Sequence, residues 1–344
     1  MLTIDGSQKS GSGTILRLSI ALAGILREPL HIYNIRHSRR QPGLRPQHLE
    51  SVLTAAKLCN AETEGAKLGS RELWFKPNGI VNGEVRAEIG TAGSISMLLL
   101  TVLPICVYAK GDVKVHVVGG GTDVRFAPTI NYMKYVLLPV LERVGVKASL
   151  TVKRFGYYPK GMGEAVLQVS ADSKLSALSI EEFGEIEDVR GVSVCTFLEK
   201  QRVAERQAEA AAKVLRSCGY AAEIRVVNDR SNHLQKGSSM VLWAKTSSDA
   251  LVGGDAIGER GKPSEAVGRE AAENLLKETE AHATVDVHLA DMLVPYVALA
   301  DGASTYLSRK ITDHIDANIW LTEKILGVKF QISKVGGVYR IEKS

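Results

Sequence analysis

The chain has 344 residues, 45% hydrophobic content and a formal charge of +5, ordinary figures for a soluble globular protein with room for two domains and a large core. They exclude a disordered chain, and the mild basic excess favours a polyanionic partner. A membrane span is excluded too, because the apolar run Met97 to Ala109 is short and broken by Pro104.

The N-terminal M-L-T-I-D-G lacks the charged and apolar regions of a secretory signal, so it reads as a first strand, Leu2 to Asp5, of an intracellular, cytoplasmic protein. A Gly-rich turn, a helix from Thr14 to Leu26 and a strand from Leu30 to Ile35 follow. Then comes R-H-S-R-R-Q-P-G-L-R-P-Q-H, Arg36 to His48, with four arginines, two histidines and no acid. Guanidinium forks beside a helix N-terminus suit phosphate oxygens, although this loop alone suits a solvated basic turn equally well. A helix from Pro46 to Leu58 and strands near Glu62 to Leu68 and Glu72 to Lys76 complete the first stretch.

The same plan recurs. The second instance has strand Val85 to Glu88, helix Ala92 to Val107, strand Val113 to Val118, the loop G-G-G-T-D-V-R-F-A-P and helix Thr129 to Val144, then strands Lys147 to Lys153 and Glu164 to Ser170. A third has helix Val287 to Ala300, strand Ala303 to Leu307, helix His314 to Leu326 and strands Phe330 to Ser333 and Val338 to Ile341. The pattern predicts an α/β (α+β) protein whose large domain uses one βαβαββ unit three times. Between the second and third instances, Val189 to Thr284 differs in character. It has strands at Val189 to Leu198, Glu223 to Val227, Met240 to Ala244 and Ala250 to Gly253, with helices Arg202 to Leu215 and Ser264 to Lys277. The acidic run Glu181 to Asp188 reads as the linker into it. The expected division is large domain 1–184, inserted small α/β domain 185–284 and large domain again 285–344.

The four cysteines show no C-x-x-C pair and the eight histidines no H-x-x-x-H pair, so a structural zinc site is not expected.

Several motifs coincide along this plan: D-G-S-Q-K-S-G-S-G-T-I-L-R at Asp5 to Arg17, the Arg-rich loop, G-T-A-G-S at Gly90 to Ser94 and G-G-T-D at Gly120 to Asp123. Further on come F-G-Y-Y-P-K-G-M-G-E at Phe155 to Glu164, G-E-R-G-K at Gly258 to Lys262, H-L-A-D-M-L at His288 to Leu293 and D-H-I-D-A-N at Asp313 to Asn318. In this order, over nearly the whole chain, the sequence resembles the RNA 3'-terminal phosphate cyclases. The resemblance implies three repeated units with one insertion. It also implies an ATP-dependent, AMP-forming ligase that adenylylates a histidine, passes AMP to an RNA 3'-phosphate and forms a 2',3'-cyclic phosphate. A divalent metal, usually magnesium, assists. The expected partner is RNA with a 3'-phosphate end; no membrane is involved, and a homo-oligomer is compatible with the chain.

His314 matches the family's nucleophilic histidine. The chemistry needs a neutral imidazole nitrogen attacking an α-phosphorus in line. It falls in a first helical turn behind Thr312 or Asp313, with Asn318 at i+4 on the same face. Without the resemblance, such a histidine is more often a surface or capping residue. The stretch His288, Leu289, Ala290, Asp291 and Met292 matches a nucleotide site, with His288 and Met292 standing where the family usually has tyrosine and glutamine. Periodicity alone would make Asp291 a surface acid of an amphipathic helix. Arg17, Arg36, Arg39 and Gln47 fall on positions facing the triphosphate or the RNA phosphate, where preorganised donors meet developing charge. Arg40, Arg45 and His48 are weaker members of that set, and a structural salt bridge is the competing reading for Arg17.

Several positions depart from the family's pattern. Ser10 replaces an acid thought to help hold the metal, Thr14 and Leu100 replace glutamines, and Met162 replaces a glycine. Asp123 and Asp291 are therefore the expected metal ligands. The motif Phe155 to Glu164 is expected to be structural, the alternative being that Tyr157, Tyr158 and Lys160 touch an RNA end by stacking and charge. Two rival readings remain: a non-catalytic RNA-binding or ribosome-assembly relative, and an enolpyruvyl transferase built from related repeats, which has no need of His314.

Overall fold

In the computed structural model, which describes residues 1–344, period-two alternation builds the first sheet. Strands β1 (Leu2–Asp5) and β2 (Leu30–Tyr33) pair in parallel, and β4 (Leu73–Lys76) runs antiparallel to both β2 and β3 (Glu62–Glu64). Leu30, Ile32, Leu73 and Phe75 point into the core, while Tyr33 and Trp74 face outward. The order is β1-β2-β4-β3. The second sheet, β5 (Gly83–Glu88), β6 (Val113–Val118), β7 (Ala148–Arg154) and β8 (Glu164–Val169), has the corresponding order β5-β6-β8-β7.

Next is β9 (Ser179–Ile180), which sequence reading missed. Two residues give no periodicity, yet β9 pairs in parallel with β14 (Ser304–Ser308) and joins β15 (Phe330–Val335) and β16 (Val338–Lys343) in a sheet ordered β9-β14-β16-β15. Three sheets thus share one order. Between β9 and β14 the chain forms a fourth, β11-β10-β12-β13, from β10 (Ile186–Thr196), β11 (Ala222–Asp229), β12 (Gly237–Thr246) and β13 (Leu251–Ile257). Strand β10 begins inside the acidic run that reads as a linker.

The helices fill the middle. Helix α1 (Gly13–Leu26) packs on α2 (Pro46–Leu58), α3 (Ile95–Val107) and α9 (Asp313–Leu326), and α9 packs on α8 (Val287–Leu299). Both α1 and α3 are apolar nearly all round, as befits buried helices. Ser12, Ser94 and Thr312 cap α1, α3 and α9 by accepting from backbone N–H groups. The cap at Ser94 is why α3 starts three residues later than its apolar pattern. After β6, α4 (Ile130–Tyr132) passes through a π-helical turn, Met133–Leu137, into α5 (Leu138–Arg143).

In the fourth sheet, α6 (Val203–Ser217) and α7 (Ser264–Glu280) pack together and against the strands. The other face meets the helix at 130–143. There a Cβ on Gly253 would come within 2.8 Å of Val136 and 2.9 Å of Tyr132. Asp286, the cap of α8, ties both sides together: it accepts from the Tyr132 hydroxyl at 2.7 Å and from Gly253 N at 2.9 Å. No helix is long and apolar enough to cross a membrane.

Candidate active site

His314 stands in the first turn of α9, half-buried, behind the Thr312 cap. Its Nδ1 is 3.1 Å from Thr14 Oγ1, and that hydroxyl also accepts from Arg17 Nη2 at 3.1 Å. Burial first, then the charges of Arg17 and Arg39, push the His314 pKa below its ordinary value, against a smaller opposing effect of Asp313. The ring is therefore held neutral. Arg17 is lowered to about 10 by burial, partly opposed by Asp291, and stays cationic at neutral pH.

The Arg-rich loop reaches the same place. Arg36 and Arg39 line one cavity with Arg17 and His314. Arg36 also donates from Nη1 to the carbonyls of Gln41 and Gly43, at 2.9 and 2.8 Å, so its guanidinium braces its own loop. Arg40 and Arg45 do not line the cavity. Gln47 accepts from Ser94 N at 2.9 Å, which leaves its NH2 group for a ligand. His48, 6% exposed, lines the cavity with its buried Nδ1 unpartnered. Burial and four surrounding arginines push it down to about 2, so it too is neutral.

Helix α8 contributes the opposite wall through His288, Asp291, Met292 and Pro295, which helical periodicity sets on one face. Leu289 and Ala290 were expected in the nucleotide site, but they are fully buried core residues, because the two positions after His288 turn away from that face. Asn318 lines the cavity and donates to the Asp291 carbonyl at 2.8 Å. Burial raises the Asp291 carboxyl to about 7, against the pull of His288 and Arg17.

Asp123 does not reach the cavity. It is 2% exposed and accepts from Thr122 Oγ1 at 2.8 Å and Ile130 N at 3.1 Å, which makes it a brace for the start of α4. No group of three His, Cys, Asp or Glu side chains is placed to hold a metal ion. The side chains present therefore do not fit a protein-built magnesium cage, and Asp291 offers one oxygen donor group at most. Tyr157 takes the structural place expected of its motif: it is buried, with its hydroxyl 3.2 Å from Thr196 Oγ1, whereas Tyr158 is 79% exposed.

The cavity holds about 710 Å3, within the range of small-molecule sites. Leu18, Ala21, Met97, Leu100, Pro104 and Tyr296 give it an apolar portion beside the arginines. Sequence reading missed Asp255, which lines the cavity from β13. An acid inside the apolar strand L-V-G-G-D-A-I is the signal that marks it. The arrangement can hold a polyanion with an apolar part and present a neutral imidazole to it.

Comparison with known proteins gives the chain a family. The family model described as "RNA 3'-terminal phosphate cyclase" matches residues 8–332. A protein of Pyrobaculum neutrophilum called RNA 3'-terminal phosphate cyclase is 47% identical over 98% of this chain and 97% of its own length. Proteins of the same name from Pyrobaculum aerophilum and Pyrococcus furiosus are 44% and 43% identical, each over 98% of this chain, and over 97% and 96% of their own lengths. The solved enolpyruvyl transferase NikO of Streptomyces tendae is 10% identical with a TM-score of 0.36, covering 99% of this chain and 48% of that one, a likeness that carries no argument. With a family model across residues 8–332 and relatives at these identities over nearly their full length, the chain belongs to the RNA 3'-terminal phosphate cyclase family.

Proposed function

We propose that this protein converts an RNA 3'-terminal phosphate to a 2',3'-cyclic phosphodiester at the expense of ATP, with His314 as the covalent carrier of AMP. The observation that carries the reading is the setting of His314: a half-buried imidazole held neutral, tied at Nδ1 to Thr14, in a cavity that combines three arginines with an apolar portion. With Nδ1–H donating to Thr14 Oγ1, Nε2 keeps its lone pair.

In the first step Nε2 attacks the α-phosphorus of ATP, and the bond to the β-phosphate oxygen breaks to release pyrophosphate. Arg17, Arg36 and Arg39 hold the phosphates and take up the charge that builds on their oxygens. The adenine lies in the apolar portion near Leu100 and Tyr296, with His288, Asp291, Met292 and Asn318 bordering the nucleotide. An oxygen of the RNA 3'-phosphate then attacks the histidine-bound phosphorus; the P–N bond breaks and RNA-(3')pp(5')A forms. Finally the adjacent 2'-hydroxyl attacks the 3'-phosphorus, its proton leaves to solvent or a basic group, and AMP departs. A magnesium ion carried in on the ATP phosphates would neutralise part of their charge, with Asp291 as the one candidate protein donor.

We also read the shared order of three sheets as one βαβαββ unit used three times in a large domain, residues 1–184 and 285–344, with residues 185–284 as a small inserted α/β domain.

The test is incubation with ATP labelled at the α-phosphate. An acid-labile protein adduct is expected, lost in His314→Ala and discharged by RNA ending in a 3'-phosphate. An adduct that persists in His314→Ala overturns the assignment, and RNA binding without any adduct selects a non-catalytic RNA-binding relative instead.

A further inference from the structure

A second cavity, of about 290 Å3, lies between the fourth sheet and the helix at 130–143. The mechanism above does not use it. Val192, Val194 and Val227 give it an apolar floor, and Tyr135 is part of its wall, stacked on Trp243 with ring centroids 5.0 Å apart. Lys134 and Arg225 line it and no carboxylate does. Arg225 donates to the Tyr135 hydroxyl at 2.6 Å, and Lys134 lies over the Tyr135 ring. Asn131, 5% exposed, also lines the cavity.

These features share one chemistry. Two cations with no competing acid call for an anion, the valines and tyrosine suit a flat apolar ring, and the Asn131 amide can both donate to and accept from a base edge. A nucleotide offers all three.

The sheet register connects this cavity to the first. Asp255 pairs with Val241, Val241 with Val192, and Val192 with Arg225. Partners across a sheet share a face, so Asp255 in the main cavity and Arg225 in the second stand in one row, three strand spacings or about 14 Å apart. Helix α4 bridges the same interval, because Thr129 N donates to Asp255 at 2.8 Å and Asn131 lies two residues on.

We propose that the second cavity binds an internal nucleotide of the RNA whose 3'-phosphate occupies the main cavity, an inference that rests on the RNA-processing reading of that site. The base lies on the valine floor against Tyr135, Asn131 meets its edge, and Lys134 and Arg225 take its phosphate. The inserted segment then serves to hold the RNA strand behind its reacting end.

Direct binding to the full-length protein tests this, with fluorescence anisotropy of a labelled single-stranded decaribonucleotide ending in a 3'-phosphate. Two competitors are added: a dinucleotide with the same end, too short to cover both cavities, and free AMP. K134Q/R225Q removes both charges while leaving a donor near Tyr135, and N131L keeps the side-chain volume. Each should weaken decamer binding ten-fold or more, with dinucleotide binding and labelling of His314 by ATP changed less than two-fold. Labelling at the wild-type level also shows that the variants are folded. Decamer binding within two-fold of wild type in both variants overturns the proposal. So does AMP affinity that falls in the variants while decamer affinity does not, which would make the cavity a free-nucleotide site. A wild-type protein that takes no label from ATP but loses decamer binding in the variants refutes the cyclase reading and leaves the subsite standing.

Discussion

Thr14 Oγ1 and His314 Nδ1 stand 3.1 Å apart although 300 positions separate them. The hydroxyl already accepts from Arg17 Nη2 at 3.1 Å, and an sp3 oxygen has a second lone pair to take Nδ1–H. One small side chain in the first turn of α1 thus holds the ring orientation of a residue at the start of α9, and keeps a guanidinium beside it.

Thr14→Val keeps the shape of the side chain and removes the acceptor. Loss of one such hydrogen bond is worth about 1 kcal/mol, so adenylylation of His314 should slow by roughly five- to ten-fold. Thr14→Ser, which retains the oxygen, should keep most of the rate. Single-turnover labelling with ATP measures this, and equal rates for Thr14→Val and wild type would remove Thr14 from the role.

The acid limb of adenylylation should report the environment of His314. Its lowered pKa means that the neutral, nucleophilic ring persists as pH falls through 6.5, so the rate declines only at more acid pH. Arg39 is one of the charges that lower it. Arg39→Gln should therefore move the limb upward in pH, in addition to any loss of ATP affinity. A limb that stays in place in Arg39→Gln at saturating ATP would show that burial alone sets the shift.

His48 makes a separate prediction about stability. Its folded pKa is about 2 against an ordinary 6.5, so below pH 6.5 the unfolded chain binds a proton that the native protein refuses. Stability is fully present above pH 6.5 and falls by about 1.4 kcal/mol per pH unit below it. Asp123 and Asp291, raised to about 7, act in the opposite sense. The comparison must therefore be with His48→Gln, whose denaturation free energy between pH 6.5 and 5 should fall less steeply than that of wild type. Parallel curves would mean that His48 is protonated in the native state.

Much of this was legible in the sequence, for identifiable reasons. Helix α2 has the range its pattern predicts, Pro46–Leu58, since proline opens it and its apolar face is one-sided. The two-residue β9 was invisible because pairing partners more than a hundred positions away define it. At the site, His314, Asp291 and the two arginines of the loop followed from motifs. Asp123 misled, because an acid in a glycine-rich loop reads the same whether it faces a ligand or satisfies a helix N-terminus. Leu289 and Ala290 misled because a contiguous motif ignores the helix that carries it. Asp255 was missed because its strand lies outside the repeated pattern, and only the packing of the fourth sheet brings it to the cavity.

Gly13 shows how tightly the first turn of α1 is fitted to the site. A Cβ there would lie 2.5 Å from His48 Nε2, 2.9 Å from His48 Cδ2 and 3.0 Å from Arg17 Nη1. Helix propensity favours alanine over glycine by about 1 kcal/mol in a helix interior and by less at a first turn, while overpacking a rigid contact costs about 1–3 kcal/mol. The clash should win, because His48 is buried and cannot swing away. Gly13→Ala is therefore expected to lower stability and to slow adenylylation by displacing Arg17 from Thr14. In a His48→Ala background the added methyl has room, so the stability penalty should largely vanish, a coupling that a double-mutant cycle measures. Additive effects in that cycle would mean that the first turn shifts as a unit and that glycine at this position is not required by His48.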